Sequence, residues 1–358
     1  MKSAHIRYGA LGAVLASALV LASCKTEEAA LPPPPPPPPP PAMALSNGVV
    51  QSAAAYRNYV RTASAISSTF PDAASIQTSL QRGAAFEPNA FSRGAVAYSA
   101  IIALQDPAFV QGVRNLGADY ANRQEIIRQL FADPAYAAQL PGAQSAAGLI
   151  VANLAADGRA VYQAGAAIKQ TAYDIQRERW SREYVANREG RLATAKSISA
   201  QPMMGSSSEA ASLMQVAMSG SGLQGVSASY VSPPYTETVA RGLAIAALAV
   251  LGAAGDANAV NIEALLNENT GPYCLRMSKL NLYQCLAVSK PHFEDVFCLG
   301  QHILMDAGAC ITKVSGTSQA LPEWRRGLVA STPTAASAAT TAATTAPPAS
   351  PRPAPGPK

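Results

Sequence analysis

The spacing of apolar residues along most of the chain is that of α-helices. Between residues 45 and 327, apolar side chains recur three or four positions apart, as in Val110, Val113, Leu116 and Tyr120, which would make one face of a helix apolar. Stretches in which apolar and polar residues alternate, as in half-buried strands, are scarce. The pattern predicts an all-α protein built as a multi-helix bundle.

The longest predicted helix runs from residue 143 to residue 196, within a helical domain of residues 45–200. Large apolar residues recur in it every seven positions, and a small residue follows each of the first three after four positions. The large residues are Leu154, Val161, Ile168 and Ile175, and the small ones are Gly158, Gly165 and Ala172. Such a seam lets a second helix approach closely.

Beyond Ile175 the same predicted helix becomes strongly charged. Eight Arg and Glu residues lie between positions 177 and 191, with Glu178 four positions before Arg182, a spacing that stabilises exposed helices. This end is expected to project into solvent. It is either a plain solvated helix end or a docking site with Trp180 and Tyr184 as exposed aromatic anchors for a partner.

Residues 201–234 are rich in Ser, Gly and Met and predict a flexible connector. A short helix over residues 209–218 is expected to interrupt it. A second helical part follows at residues 235–327 and begins with Gly242 to Gly255, a run of 14 residues without charge. At about 1.5 Å per residue this run reaches only about 21 Å, so it predicts a buried helix and no membrane span.

The first 24 residues have a different pattern, a basic start followed by an apolar run. Lys2 and Arg7 precede the run, which closes on Leu21-Ala22-Ser23-Cys24. This ending resembles the lipobox of bacterial lipoprotein signal peptides. The resemblance implies that residues 1–23 are a signal peptide and that Cys24 becomes an acylated N-terminus that anchors the protein in a membrane.

An uncleaved transmembrane anchor is the alternative for this segment. It is disfavoured because the apolar stretch from Tyr8 to Ser23 is shorter than the roughly 20 residues that span a bilayer. Position 25 is lysine and not the aspartate that holds many such lipoproteins at the inner membrane. The resemblance therefore implies a cell-envelope protein on the outer membrane, facing the periplasm.

Two low-complexity segments flank the helical region. Ten consecutive prolines, Pro32 to Pro41, predict a polyproline II rod of about 30 Å, so residues 24–44 would form a tether. Residues 328–358 are mostly Thr, Ala and Pro and predict a disordered tail. A proline-binding partner for the rod, and cell-wall contact or O-linked sugars for the tail, are the alternatives to a plain spacer and plain disorder.

Composition agrees with the helical pattern. Apolar residues make up 49% of the chain but aromatic residues only 6%, and much of the apolar share is alanine, the best helix former. The net charge of +5 is too small to indicate nucleic-acid binding, so no such partner is expected.

The remaining four cysteines, Cys274, Cys285, Cys298 and Cys310, predict two disulfides, because an exported chain is oxidised. Pro272 and Pro291 each suit a first helical turn and predict helices over residues 272–289 and 291–314. A bond between Cys274 and Cys285 would span about 16 Å of one helix, beyond the roughly 6 Å that a disulfide allows between α-carbons.

Nested pairing of Cys285 with Cys298 and of Cys274 with Cys310 is therefore expected, since both pairs are symmetric about one turn. The motif resembles the doubly stapled helical hairpins of several small disulfide-rich families. One mismatch remains: eleven residues bring a helix back to within about 20° of the same face, whereas the twelve from Cys298 to Cys310 leave about 120°. A bend or end of the helix at Gly308 is expected to absorb it.

Candidate chemistry is limited to the same window. His292 and His302, with Glu294 or Asp295, are weak candidates for a metal site, because imidazole and carboxylate are common ligands. No HExxH or paired CxxC spacing accompanies them. The simpler interpretation is that the two acids favour a helix N-terminus and that His302 pairs with an aspartate one turn later. No metal or cofactor is predicted.

No catalytic motif points to an enzyme. The chain contains no GxSxG, no phosphate-binding loop and no dinucleotide or haem motif, so no catalytic residue is assigned. The sequence favours a non-catalytic scaffold, adaptor or accessory subunit of an envelope complex. The alternatives are a cell-envelope hydrolase with carboxylates in an interdomain cleft, and a carrier of small apolar ligands.

Overall fold

Helices form nearly all the regular structure in the computed structural model, which describes residues 41–223 and 229–317. These residues contain thirteen α-helices and no β-strand, which confirms the predicted all-α class. The apolar spacing from Val110 to Tyr120 does not lie on one helix, because a helix ends at Leu116 and the next begins at Tyr120. The helices are α1 (Asn47–Ser64), α2 (Ala73–Ala84), α3 (Pro88–Ala103), α4 (Pro107–Leu116), α5 (Tyr120–Ala132), α6 (Ala143–Asp174), α7 (Arg188–Ser199), α8 (Ser207–Ser219), α9 (Glu237–Val250), α10 (Ala259–Leu266), α11 (Thr270–Val288), α12 (His292–Cys298) and α13 (Asp306–Ser315).

Local sequence signals place many of the helix starts. Ser46 accepts a hydrogen bond from the backbone N–H of Val49 at the start of α1, and Asp72 does the same for Ser75 in α2. Each such cap satisfies a backbone donor that has no partner within the helix and contributes about 1 kcal/mol. Pro107 follows the cap Asp106 as the first residue of α4, where proline removes no hydrogen bond.

Helices on both sides of the predicted connector share one hydrophobic core. α9 lies at its centre, with nearly every residue from Thr238 to Val250 buried, and it packs on α3, where Gly242 faces Ser99. The uncharged run is therefore a buried helix, although it ends at Val250. Within the described residues, no helix has the length and apolarity needed to cross a membrane.

The predicted seam on α6 is real, and its partner is the C-terminal helical region. A β-carbon placed on Gly165 would lie 2.6 Å from the backbone nitrogen of Met305, and one placed on Gly158 would lie 2.8 Å from the carbonyl oxygen of Gly308. The opposing glycine, Gly300, is equally close to α6. Only glycine fits at these positions, because the two backbones touch.

The prediction of one helix from residue 143 to residue 196 is wrong. α6 ends at Asp174, two short 3₁₀ turns follow, and α7 starts at Arg188. The hydroxyl of Ser181 donates to the carbonyl of Glu178 at 3.0 Å, and the N–H of Val185 donates to the carbonyl of Lys290 at 2.9 Å. The second bond ties the charged segment to the C-terminal region, so it is not the projecting helix that the sequence predicts, although most of its charged side chains are exposed.

The two disulfides have the nested pairing that the sequence predicts. Cys274 is bonded to Cys310 and Cys285 to Cys298, with α-carbon separations of 5.7 Å and 5.8 Å. They join α11 to a second helical segment that runs from His292 to Ser315. Together these two segments form the stapled hairpin.

A π-helical stretch, and not a bend at Gly308, brings Cys298 and Cys310 to the same side of their helical segment. Residues Leu299–Met305 form a π-helix between α12 and α13. A π-turn takes up one residue more than an α-turn, which amounts to about 100° of helix rotation. The mismatch of about 120° between Cys298 and Cys310 thus falls to about 20°, the value for Cys274 and Cys285 in α11.

Candidate functional site

One face of α11 exposes a row of large apolar side chains. Tyr273 is 63% exposed, Met277 40%, Leu280 45% and Val288 74%. Their spacing places all four within about 80° of one another around the helix. Single exposed apolar residues are ordinary, but several on one helix face indicate a surface for a partner, here with one polar residue, Gln284, exposed between Leu280 and Val288. We call these four residues the α11 face.

The rest of the hairpin holds this face outwards. Leu275, Leu282 and Leu286 lie on the opposite side of α11 and are buried, and the two disulfides attach the helix to its neighbour at both ends of the row. Rotation of α11 to bury the exposed row would break both sets of contacts. The α11 face is therefore a rigid feature of the surface.

A cavity of about 370 Å³ opens at the Val288 end of the α11 face. Its wall includes Phe293, Phe297 and Tyr173, with Glu294 as its single carboxylate. The rings of Tyr173 and Phe297 meet edge to face with centroids 6.2 Å apart. The volume lies at the lower end of the range for ligand pockets, and the aromatic wall suits an apolar group.

Charge differs between the two long edges of the α11 face. On one edge the ammonium of Lys196, in α7, lies 5.7 Å from the ring centroid of Tyr283, and Arg276 is exposed in α11 itself. On the other edge Asn281 donates to Asp306 at 3.5 Å, and this carboxylate also contacts His302. One edge therefore carries two exposed cations, of which Arg276 donates to Asn89 at 3.1 Å, beside the carboxylate of Glu87. The carboxylate on the other edge is held by Asn281 and His302.

A buried ion pair supports the turn of the hairpin. Asp295 and Arg191 form it, with 0% and 3% of their side chains exposed. The hydroxyl of Ser289 donates to the same carboxylate at 2.9 Å, and the amide of Gln77 at 3.1 Å. An unpaired charge at this depth would be costly, so these contacts fix α7, α2 and the hairpin turn together.

A buried lysine lies beneath the α11 face. The ammonium of Lys279 donates to the hydroxyl of Ser199 at 2.7 Å and lies 3.6 Å from the ring centroid of Phe86. Burial lowers the pKa of Lys279 well below its ordinary value, and the charge of Glu87 offsets this only in part. Because the side chain is enclosed, Lys279 serves as a contact within the core and not as a reactive group.

Away from the α11 face, a carboxylate with two hydrogen-bond partners joins α1 to α6. Arg57 donates to Asp157 at 2.8 Å, and the hydroxyl of Tyr56 donates to the same carboxylate at 3.1 Å. Burial raises the pKa of Asp157, and Arg57 opposes that rise. Burial also raises the pKa of Tyr98, beneath the Arg57 guanidinium, to about 12. Because Asp157 is a single carboxylate that is neutralised by Arg57, the pair has a structural role and does not provide the two acids of an acid–base mechanism.

The two predicted aromatic anchors differ in exposure. Tyr184 is 70% exposed, but Trp180 is half-buried against the core. Both lie in the segment between α6 and α7, where Tyr184 bridges to Pro291. The continuous helix on which they were expected to lie ends at Asp174, and their role in docking a partner stays a prediction.

The two histidines lie in different surroundings, and Nδ1 of His292 is buried without a hydrogen-bond partner among the residues that the structure describes. His302 contacts Asp306 at 3.1 Å, one turn later, as the simpler interpretation predicts. The backbone N–H of His292 donates to Glu183. Across the described part of the chain, no group of three or more His, Cys, Asp or Glu side chains could hold a metal ion. Cys24, most of the proline tether and the tail from residue 318 lie outside the described residues.

Sequence reasoning missed the α11 face, although its signal was present. In α11 the apolar positions form two sets, Leu275, Leu282 and Leu286 on one side and the exposed row on the other. A helix that is apolar on two sides has either two buried faces or one face left for a partner. The cysteine spacing of this window predicts the disulfides, but it does not predict the exposed side of α11.

Fold and surface together define an all-α protein with a disulfide-stapled hairpin that presents an apolar helix face. The chain matches no protein-family model, no curated protein and no solved structure.

Proposed function

We propose that this protein is a lipid-anchored lipoprotein of the cell envelope that acts as a non-catalytic adaptor or scaffold. The α11 face carries the proposal: a rigid, exposed apolar row that continues into an aromatic cavity. Exposure of such a row to water is unfavourable, and covering it with a partner would recover that free energy. Protein interfaces commonly use aromatic and methionine side chains in this way.

The surroundings of the cavities favour the adaptor over the hydrolase alternative. Glycoside hydrolysis needs two carboxylates that face one cleft. Of the two cavities described, the one beside α11 has a single carboxylate, Glu294. The other, of about 330 Å³ between α2 and α7, is lined by Gln77, Asn187 and Arg191 among others and by no carboxylate.

Membrane attachment rests on the sequence. Acylation of Cys24 and a proline rod of about 30 Å would hold the helical region away from a membrane, facing the periplasm if the anchor is in the outer membrane. This geometry suits a protein that meets its partner at a distance from the lipid surface.

Chemical crosslinking in intact cells tests the adaptor function. The protein would carry a tag within residues 328–358, and crosslinked complexes would be extracted in detergent, purified and identified by mass spectrometry. We expect one envelope protein in near-equal amount. Recovery of this chain alone, while a control envelope complex survives the same procedure, would contradict the proposal.

A further inference from the structure

We propose that the partner is an amphipathic α-helix of another protein, with an apolar stripe that covers the α11 face and carboxylates along the edge next to Lys196. This inference rests on the adaptor function and deepens it by naming the chemistry of the partner. The four side chains of the face, the cavity at its end and the charge of its edges carry the inference.

The shape of the surface suits a helix. The α11 face extends from Tyr273 to Val288, which at about 1.5 Å per residue is roughly 22 Å, or four helical turns. Its side chains follow the three-and-four spacing whose ridges fit the grooves of a second helix. Gln284, exposed within the row, can donate to or accept from one polar side chain of the partner.

The cavity gives the partner helix an anchor point. It lies beside Val288, and its wall of Phe293, Phe297 and Tyr173 is aromatic. A large apolar side chain from one end of the partner helix would enter it. Binding energy at protein interfaces concentrates on such anchors in apolar pockets, so this end of the α11 face should contribute most to affinity.

The charges specify acidic residues on the partner. Lys196 and Arg276 lie along one edge of the face, and Arg188 lies near its end, bonded to the carbonyl of Ala287. Carboxylates on the partner helix would pair with this edge, which sets orientation and favours fast association.

Two candidate occupants from this chain itself carry few carboxylates or none. Outside the described residues its only carboxylates are Glu27, Glu28 and Glu323. A second copy of α11 contains no Asp or Glu and carries the same basic edge. Charge complementarity therefore points to a different protein.

Site-specific photo-crosslinking in intact cells tests the inference. A photoreactive phenylalanine analogue would replace Leu280 in the full-length chain, and a matched control would replace Gln111, an exposed residue of α4. We expect the Leu280 probe to label a peptide of another protein that has apolar residues three and four apart and at least two carboxylates. The control should label little of it.

Charge reversal provides the second readout. In the Leu280 probe background, the double change Lys196→Glu and Arg276→Glu should reduce the crosslinked product about fivefold, since it removes two exposed ion pairs that each contribute little alone. Reversal of an exposed arginine of α6, Arg159→Glu, is the matched control and should leave the yield unchanged. Circular dichroism would verify that each variant is folded.

The alternative outcomes are distinct. Crosslinks from Leu280 to a second copy, to residues 318–358, to lipid or to a partner segment without carboxylates would overturn the inference, as would a yield that charge reversal leaves unchanged. A partner labelled from Gln111 but not from Leu280 would overturn it too, while the adaptor function stands. Recovery of no partner from either position or by chemical crosslinking would contradict both.

Discussion

Deletion of Gln301 would test whether the π-helical stretch sets the register of the hairpin. Gln301 lies within this stretch, accepts from Lys169 at 2.8 Å and donates to Asp306 at 3.2 Å. Removal of one residue would let the segment become a regular α-helix. We expect the variant to fold with both disulfides intact and to lose about 1–2 kcal/mol of stability, the contribution of the two hydrogen bonds.

Two spacings give this expectation. In the deletion variant Cys298 and Cys310 are eleven positions apart, as Cys274 and Cys285 are in α11. The glycines that meet α6, now eight positions apart, become seven apart, like Gly158 and Gly165. At about 100° per residue, a regular α-helix in the variant would point the two cysteines, and likewise the two glycines, in the same directions as the π-helical segment does in the parent.

Deletion of Ala309 is the matched control. It also shortens the cysteine spacing to eleven, but it leaves Gly300 and Gly308 eight positions apart. A regular α-helix would then rotate one glycine about 100° away from α6, and a retained π-helix would rotate Cys310 away from Cys274. We expect a loss of about 1–3 kcal/mol from overpacking, or of up to about 4 kcal/mol from the disulfide, whose sequence separation is 36.

Urea unfolding of the two variants, with a non-reducing peptide map of each, would measure these effects. The reasoning is refuted if the Gln301 deletion scrambles the disulfides or destabilises the protein as much as the Ala309 deletion does. Equal tolerance of both deletions would show that the seam with α6 does not depend on helix phase.

Three further predictions concern single side chains. Lys279→Met should stabilise the protein, because burial disfavours the charged form of this amine in the folded state and so lowers its pKa. Between the lowered pKa of Lys279 and about pH 10.4, the free energy of unfolding of the parent should therefore rise by up to about 1.4 kcal/mol per pH unit. Denaturant titrations at several pH values should show a smaller slope in the variant. Asp295→Asn should cost about 3–5 kcal/mol, since it leaves Arg191 buried without a counter-charge; a loss below 1 kcal/mol by thermal unfolding would contradict that role. Cys24→Ser should abolish incorporation of labelled palmitate in cells, and persistent labelling would disprove Cys24 as the acylated residue.

The helical architecture was predictable because its causes are local. Apolar spacing, caps such as Ser46 and helix starts such as Pro107 act within a few residues, and α1, α4 and the buried α9 follow them. The disulfide pairing was predictable for a similar reason. Once two helices and a turn are given, α-carbon distances exclude the sequential pairing.

Tertiary contacts decided the features that the sequence pattern missed. Charge and helix propensity continue past Asp174, but the helix ends there, and the segment that follows is held by a local bond from Ser181 to Glu178 and a long-range bond from Val185 to Lys290. The π-helix likewise satisfies two demands at once, cysteine pairing and glycine contact with α6, and each involves a different partner helix.

At the candidate site, too, the sequence determined one property and the tertiary structure another. Periodicity by itself determined that α11 is an apolar helix, since side-chain direction follows from the backbone repeat. Only the tertiary structure decided which apolar side is covered, because coverage depends on how many neighbours reach the helix. The core accommodates Leu275, Leu282 and Leu286, and no other helix packs over Tyr273 and Val288, which stay exposed to solvent within the described residues.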